Sequence, residues 1–196
     1  MKNGKIIYSR SIAEFSEQYI KALNNGELVL HPCECSYCIS FDFYNENLRE
    51  RVNMLKGRAC DKNYVAIIPS MRSLKKLDIE PNKLERQFMK KYWPDLLKIA
   101  FSDTYCLGVP KEKWLRDTLK KINPLVGITS ANKTGDSLAK KGTDIDKGLI
   151  RGVDKVLIND ALIYADKQST IVRLKKGIEI LRQGEVEITE RTTKAL

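Results

Sequence analysis

Residues 125–136 read LVGITSANKTGD and combine an apolar run with side chains that suit nucleotide binding. Thr129 and Ser130 supply hydroxyl groups, and Asn132 supplies a carboxamide that both donates and accepts hydrogen bonds. Gly135 lets the chain pass close to a ligand. A strand that ends here would deliver these groups to its carboxyl end, where open α/β sheets commonly bind ligands. The same residue types also fill ordinary turns, so the segment alone leaves both interpretations open.

Lys56 and Arg58 are separated by one glycine and place two cations of different shape beside each other. A compact ammonium and a forked guanidinium suit a polyphosphate, and neither readily loses its charge. The structural alternative is that the pair lies at the carboxyl end of a helix, where basic side chains complement the helix dipole.

A third group of reactive side chains, His31, Cys33, Cys35 and Cys38, falls within eight residues. Imidazole and thiolate are zinc ligands, but a single residue between the first two cysteines is an unusual spacing for a zinc site, and no second paired cluster follows. We therefore predict small buried thiols rather than a metal site. His31 is the only histidine and closes an apolar run, which predicts a structural role.

Neither a GxxxxGK[ST] phosphate loop nor a GxGxxG motif occurs in the sequence. No Cys-His-Asn or Ser-His-Asp triad can be assembled from it either. If the protein binds ATP, it does so with other residues.

Periodicity predicts the elements that position these groups. Short apolar runs predict strands at Lys5–Tyr8 and Leu28–His31, and the spacing of apolar residues between them predicts a helix that begins after Ser11. Ser11 with Glu14 fits a capping box, so the chain opens as β-α-β.

The rest of the chain continues the alternation and then becomes rich in strands. Further helices are predicted around Leu48–Leu55, ending at Gly57, and over Pro81–Trp93 and Lys111–Ile122. Further strands are predicted at Val65–Ile68, Leu96–Phe101, Thr104–Val109, Leu125–Thr129, Val156–Ile158, Thr170–Leu174 and Ile178–Leu181. We therefore predict an α/β fold, a single domain over residues 1–196 with a twisted mixed β-sheet flanked by helices.

Composition limits the class of protein. With 196 residues, 42% of them apolar, the chain can bury a substantial core. Its net charge of +10 favours polyanionic partners such as nucleotides or RNA. It has no apolar run of about 18 residues and no secretory pattern, so we expect a cytoplasmic protein with no membrane association. Five cysteines (Cys33, Cys35, Cys38, Cys60 and Cys106) are then expected to be reduced.

Seven short segments, taken in order, resemble the YrdC-type threonylcarbamoyl-AMP synthase family in its short, single-domain form. They are Leu30–Tyr37, Lys56-Gly57-Arg58, Tyr92-Trp93-Pro94, Val109-Pro110, Thr129-Ser130-Ala131-Asn132, Ser169–Val172 and Ile180–Gly184. The KxR and SxN pieces are the most recognisable signature, and the resemblance covers nearly the whole chain.

The resemblance implies a twisted mixed sheet around a basic concave cleft. It also implies a reaction of L-threonine, bicarbonate or CO2, and ATP with Mg²⁺, which yields threonylcarbamoyl-AMP and pyrophosphate. Partner proteins would then use that intermediate to modify certain tRNAs. The basic surface offers an RNA contact that this route does not require.

Carried onto matching positions, the resemblance assigns a role to seven residues. Lys56 and Arg58 would be catalytic and hold the ATP phosphates. ATP binding would also involve Thr104, Asn132 and Arg182. Threonine binding would involve Ser130 and Ser169, with no protein-bound metal.

The departures from the family pattern lie where threonine is expected. Cys33 and Cys35 replace the two threonines of the motif P-T-E-T-x-Y-G, and Cys38 replaces its glycine. Gly108 stands where the family commonly has an arginine, and Asp95–Lys98 replaces Gly-Pro-Leu-Thr. Two alternatives therefore accompany the synthase: an ATP-dependent enzyme acting on a different small amine, and a non-catalytic RNA- or ribosome-binding relative.

Overall fold

The computed structural model describes residues 5–9, 11–59 and 63–189. The helices are α1 (Ile12–Asn24), α2 (Glu46–Lys56), α3 (Lys83–Tyr92), α4 (Lys113–Leu119) and α5 (Lys147–Gly152). The strands are β1 (Lys5–Tyr8), β2 (Val29–Pro32), β3 (Tyr37–Asp42), β4 (Val65–Ile67), β5 (Leu97–Ala100), β6 (Cys106–Gly108), β7 (Val126–Ser130), β8 (Lys155–Ile158), β9 (Thr170–Arg173) and β10 (Glu179–Arg182). Every predicted helix and strand is confirmed, with ends displaced by a few residues.

All ten described strands form one sheet in the order β1-β8-β2-β3-β7-β4-β6-β5-β9-β10. Four neighbouring pairs are parallel: β1 with β8, β2 with β8, β4 with β6, and β5 with β9. The other five are antiparallel. The sheet is therefore mixed, as the sequence predicts.

Two elements were not predicted from the sequence, and one of them shapes the cleft. Strand β3 pairs with β2 on one side and β7 on the other, and it is buried along almost its whole length. Its pairing places Cys38 opposite Ser130, which brings the cysteine segment to the end of β7. The other element, α5, is only six residues long and interrupts the strand-rich end of the chain.

The opening β-α-β order is confirmed, but β1 and β2 are not neighbours. Strand β8 lies between them and is parallel to both. Val156 and Leu157 of β8 are fully buried and point to opposite faces, so both faces of this strand are covered.

Helices cover both faces of the sheet. Alternation along β2 places Val29 in one apolar cluster and Leu30 in the other. Residues of α1 and α4 pack with the first cluster, and residues of α2, α3 and α5 pack with the second. In the part of the chain that the structure describes, no helix has the length and apolar character needed to cross a bilayer.

The helix ends differ from expectation at one place. The Ser11 side chain accepts from the Glu14 backbone, as in a capping box, but the Glu14 carboxylate accepts from the Ser9 hydroxyl instead of the Ser11 backbone. A full capping box forms instead at α3, between Asn82 and Glu85. Helix α2 ends as predicted, because Gly57 takes a left-handed conformation with φ of 58°.

Candidate functional site

A cavity of about 240 Å³, called here the inner cavity, lies where β3, β4, β5, β7 and β9 meet the chain segments that follow or precede them. Its lining includes three cations, Arg58, Lys98 and Arg182, and one carboxylate, Glu34. The remaining lining residues are Cys33, Cys35, Ser36, Cys38, Asn63, Tyr64, Val65, Ile128, Thr129, Ser130, Gln168, Ser169 and Ile171. The cavity thus carries an excess of positive charge.

The turn after β7 is held by the end of helix α2. Ser130 is the last residue of the strand, and the Lys56 ammonium donates to the carbonyl oxygens of Ser130 and Asn132, the second at 2.6 Å. The Thr134 N–H donates back to the Lys56 carbonyl at 2.9 Å. The two segments that the sequence singles out are therefore joined to each other, 74 residues apart in the chain.

The Lys56 side chain is 5% exposed and lies behind the inner cavity, since it is not among the lining residues. Burial, together with the like charge of Arg58, lowers the pKa of Lys56 to about 8. At neutral pH the group is still an ammonium, and its bonds to carbonyl oxygens favour that charged form.

Arg58 reaches the cavity wall from the other side of Gly57. Its guanidinium lies 4.7 Å from the Tyr64 ring centroid and donates through Nη2 to the Asn63 carbonyl at 3.0 Å. Its Nε is buried, and no hydrogen-bond partner for it is found within the described ranges. The residue as a whole is half-buried, so its guanidinium charge faces the cavity with little protein neutralisation.

Arg182 holds the opposite wall together. Its Nε donates to the Ser169 carbonyl at 2.9 Å, and its Nη1 donates to Gln168 Oε1 at 3.0 Å. Burial lowers the pKa of Arg182, but an arginine keeps its charge at any ordinary pH. Ser169 and Arg182, both expected at the site, are thus brought together by direct contact.

A second hollow of about 460 Å³, called here the outer hollow, adjoins the first. It shares Gln168 and Arg182 with the inner cavity and is otherwise lined by Asn132, Asp136, Ser137, Leu138, Lys167, Gln183 and Gly184. The two spaces therefore meet at Arg182.

Besides Lys56, two of the expected nucleotide contacts, Asn132 and Thr104, lie outside the inner cavity. Asn132 lines the outer hollow, where its Nδ2 donates to the Asp136 carbonyl at 2.7 Å. Its Oδ1 is buried and finds no partner among the residues described. Thr104 is exposed and lines neither space, and its N–H donates to Ser102 Oγ at 3.2 Å.

The cysteine segment lines the cavity with thiols. Cys33 donates to the Cys38 sulfur, which raises the pKa of Cys33 and lowers that of Cys38. Burial raises the pKa of Cys35 to about 11. All three are free thiols, as is Cys106. The fifth, Cys60, lies outside the described residues.

His31 faces the core rather than the cavity. Its Nδ1 donates to the Pro32 carbonyl at 2.9 Å, which leaves Nε2 to accept from the Ser40 hydroxyl at 2.8 Å. No group of three or more metal-binding side chains converges within residues 5–9, 11–59 and 63–189. The three thiols are buried, and His31 is hydrogen-bonded within the core.

Sequence reasoning missed three of the residues that shape the inner cavity: Lys98, Gln168 and Tyr64. Lys98 carried a detectable signal, because it is a charge within the otherwise apolar strand β5. Gln168 and Tyr64 show no such pattern in the sequence, since their roles depend on contacts with Arg182 and Arg58.

Comparisons with known proteins identify the family of this chain. The family model Sua5_yciO_yrdC, described as telomere recombination, matches residues 21–184. A Pseudomonas putida (strain GB-1) protein named threonylcarbamoyl-AMP synthase is 27% identical over 183 residues, which is 86% of this chain and 96% of the relative.

Solved structures show the same fold at low identity. P. abyssi Sua5 complexed with L-threonine aligns with a TM-score of 0.79 and 18% identity, over 91% of this chain and 56% of that one. E. coli YciO aligns with a TM-score of 0.77 and 14% identity, over 94% of this chain and 97% of that one. Because the family model matches most of this chain, the chain belongs to the Sua5/YciO/YrdC family.

Proposed function

We propose that this protein is an L-threonylcarbamoyladenylate synthase, a nucleotidyltransferase that makes threonylcarbamoyl-AMP and pyrophosphate from L-threonine, bicarbonate or CO2, and ATP. One observation carries the proposal: Arg58, Ser130, Ser169 and Arg182 come from four separate segments and line one small cavity. A relative at 27% identity with the synthase name supports the same activity.

The two adjoining spaces suit two substrates of different size. We assign the amino acid to the inner cavity, with Ser130 and Ser169 on its wall. A family member solved with L-threonine supports an amino-acid substrate for the family. The outer hollow takes the nucleotide, where the unpartnered Asn132 Oδ1 accepts from it. Arg182, shared by both, lies where the two substrates meet.

The reaction needs two anions to approach each other. The threonine amine adds to CO2 and loses a proton, which gives a carbamate. A carbamate oxygen then attacks the α-phosphorus of ATP, a P–O bond forms, and the bond to the β-phosphate oxygen breaks to release pyrophosphate. Such a step depends mainly on positioning and on neutralising negative charge.

Arg58 and Lys56 supply that charge from one side of the cleft. Arg58 lines the inner cavity, so its guanidinium charge acts there on the carbamate and on the α-phosphate that meets it. The Lys56 ammonium lies behind the cavity and is bound by the carbonyls of Ser130 and Asn132, so it contributes its positive charge to the phosphates without touching them. Lys56 also fixes the turn that carries Ser130. Thr104, at the exposed margin, is a peripheral nucleotide contact in this proposal.

Mg²⁺ enters as part of the ATP substrate. Glu34 is the one carboxylate among the inner-cavity residues, and its Oε1 already accepts from the Lys111 N–H at 3.0 Å. That lining fits an ion held by phosphates and water, as Mg²⁺ commonly is, better than one held by a protein cage. The product would then pass to tRNA-modification proteins.

The test is pyrophosphate release from purified protein with ATP, Mg²⁺ and bicarbonate, measured with and without L-threonine. We expect release to depend on L-threonine, and Arg58→Ala to lower kcat/KM by about 100-fold. Lys56→Ala should also impair the reaction strongly, because it removes both the charge and the anchor of the turn.

Arg49→Ala is the matched control, because Arg49 also lies over the Tyr64 ring, at 6.0 Å, but does not line the cavity. Its kcat/KM should stay near that of the wild type. If pyrophosphate release does not depend on L-threonine but is stimulated by another amine, that amine is the substrate instead. Salt-sensitive RNA binding without any turnover would contradict the synthase and favour a binding protein.

A further inference from the structure

Lys98 differs from the other cations of the inner cavity because no protein group engages its ammonium. Arg58 donates to the Asn63 carbonyl, and Arg182 donates to Ser169 and Gln168. Within the described ranges, Lys98 makes no hydrogen bond or ion pair. A half-buried charge without a partner is costly unless a ligand provides one.

The side chain of Lys98 reaches the cavity because the residue opposite has none. Lys98 on β5 pairs with Gly108 on β6. A Cβ atom at position 108 would lie 3.0 Å from Lys98 Cγ and 3.2 Å from its Nζ. The ammonium therefore occupies space that a larger residue at 108 would close.

Two nearby thiols, Cys35 and Cys106, and the carboxylate of Glu34 do not neutralise this charge. Burial raises the pKa of Cys35 and of Cys106 to about 11, although the positive charge of Lys98 acts in the opposite direction. Both thiols are therefore neutral at pH 7. The carboxylate of Glu34 is already bound by the Lys111 backbone.

We infer that Lys98 binds the carboxylate of the amino-acid substrate and so selects α-amino acids over simple amines. The inference rests on the proposed function for the identity of the ligand. Lys98 lines the inner cavity and not the outer hollow, so it is placed for the small substrate rather than for the nucleotide. With the carboxylate on Lys98, the amine is free to face Arg182 and the incoming ATP.

The experiment compares binding of L-threonine and L-threoninol, which lacks the carboxylate, by isothermal titration calorimetry. Wild-type protein should bind L-threonine more tightly than L-threoninol. Lys98→Met should weaken L-threonine binding by about 10- to 100-fold and change L-threoninol binding little. Lys98→Arg, which keeps the charge, should retain most of the affinity.

Lys175→Met is the control for loss of one positive charge, because Lys175 is exposed in the turn between β9 and β10. It should bind both ligands as the wild type does. Unchanged L-threonine binding by Lys98→Met, or an equal loss for both ligands, overturns the inference.

Pyrophosphate release by the wild type separates this inference from the proposed function. Turnover with L-threonine, combined with full affinity in Lys98→Met, refutes the role of Lys98 and leaves the synthase. Lys98-dependent binding without turnover refutes the synthase and leaves the carboxylate site. Wild-type protein that binds no L-threonine overturns the role of Lys98 as well.

Discussion

The single histidine, His31, is fully buried and takes part in a chain of hydrogen bonds. Tyr19 donates to the Ser40 hydroxyl at 2.9 Å, Ser40 donates to His31 Nε2, and His31 Nδ1 donates to the Pro32 carbonyl. The Pro32 oxygen can only accept, so the order of donors along this chain is determined. A proton added at Nε2 would displace the Ser40 donor.

This arrangement predicts a loss of stability in acid. Burial lowers the pKa of His31 to about 4, from 6.5 in an unfolded chain. The unfolded state therefore binds more protons than the folded state between these values, and the free energy of unfolding falls as the pH drops below 6.5. The loss should approach about 3 kcal/mol at pH 4 and below.

Proton NMR measures this directly, because a tag-free chain has one histidine and so one imidazole Cε1–H signal. The signal should keep its neutral position from pH 8 down to about 5. Urea denaturation at pH 7 and pH 4.5 should show the matching decrease in unfolding free energy. A titration midpoint near 6.5 in the folded protein would contradict the buried hydrogen-bond chain.

At the scale of elements, the end of α2 decides where Lys56 and Arg58 point. Gly57 lies between them with φ of 58°, so the helix stops and the chain turns within one residue. Lys56 then points back to the turn after β7, while Arg58 points to the cavity. A continued helix would place the two side chains about 200° apart around its axis instead.

Gly57→Ala tests this element. A side chain in the left-handed conformation should lower the free energy of unfolding by about 1 kcal/mol. It should also weaken ATP binding, because the chain must move the Lys56 and Arg58 side chains to relieve the strain. Urea denaturation and calorimetric titration with ATP measure the two effects.

Gly26→Ala is the matched control, since Gly26 has φ of 70° at the end of α1 and no atom within 4 Å of an added Cβ, as at Gly57. Gly26→Ala should lower the free energy of unfolding by a similar amount and leave ATP affinity unchanged. Equal ATP affinity in both variants would show that the turn at Gly57 does not position the cations.

At the scale of the whole molecule, the cleft depends on how the end of the chain returns to the sheet. Gly184 packs so closely on the segment before β9 that a Cβ there would lie 2.0 Å from the Gln168 carbonyl oxygen. Its N–H donates to Thr170 Oγ1 at 2.9 Å, and the Glu185 N–H donates to the Gln168 carbonyl at 2.8 Å. This contact sets the distance between Arg182 and Ser169.

Gly184→Ala should therefore disturb both folding and ligand binding. The added methyl group meets backbone atoms that cannot move aside alone, so we expect a loss of about 2 kcal/mol in unfolding free energy. Affinity for L-threonine and ATP should both fall, because Gln168 and Arg182 line both spaces. Denaturation and calorimetry measure the two losses.

Gly177→Ala provides the comparison within the same hairpin. Gly177 has φ of 125° in the turn between β9 and β10, with no atom within 4 Å of an added Cβ. It should lose stability through backbone strain and keep normal ligand affinity. Wild-type affinity in Gly184→Ala would mean that the close contact at Gln168 does not shape the cleft.

The sequence by itself determined the local elements and their chemistry. Periodicity located four of the five helices and nine of the ten strands, because the spacing of apolar residues reflects which face each element buries. It also ended a strand at Thr129, one residue before the observed end at Ser130, and it identified Gly57 as the end of a helix. Strand β3 was not predicted, because it is buried on both faces and so lacks the alternation that marks a half-exposed strand.

Only the tertiary structure decided which of these groups meet. The placement of β3 between β2 and β7 brings Cys38 opposite Ser130, and pairing of β5 with β6 sets Lys98 against Gly108. Strand neighbours are chosen by burial of whole faces and by connections far apart in sequence, which no local pattern records. The inner cavity, with Lys98 as its unpartnered cation, is a product of that pairing.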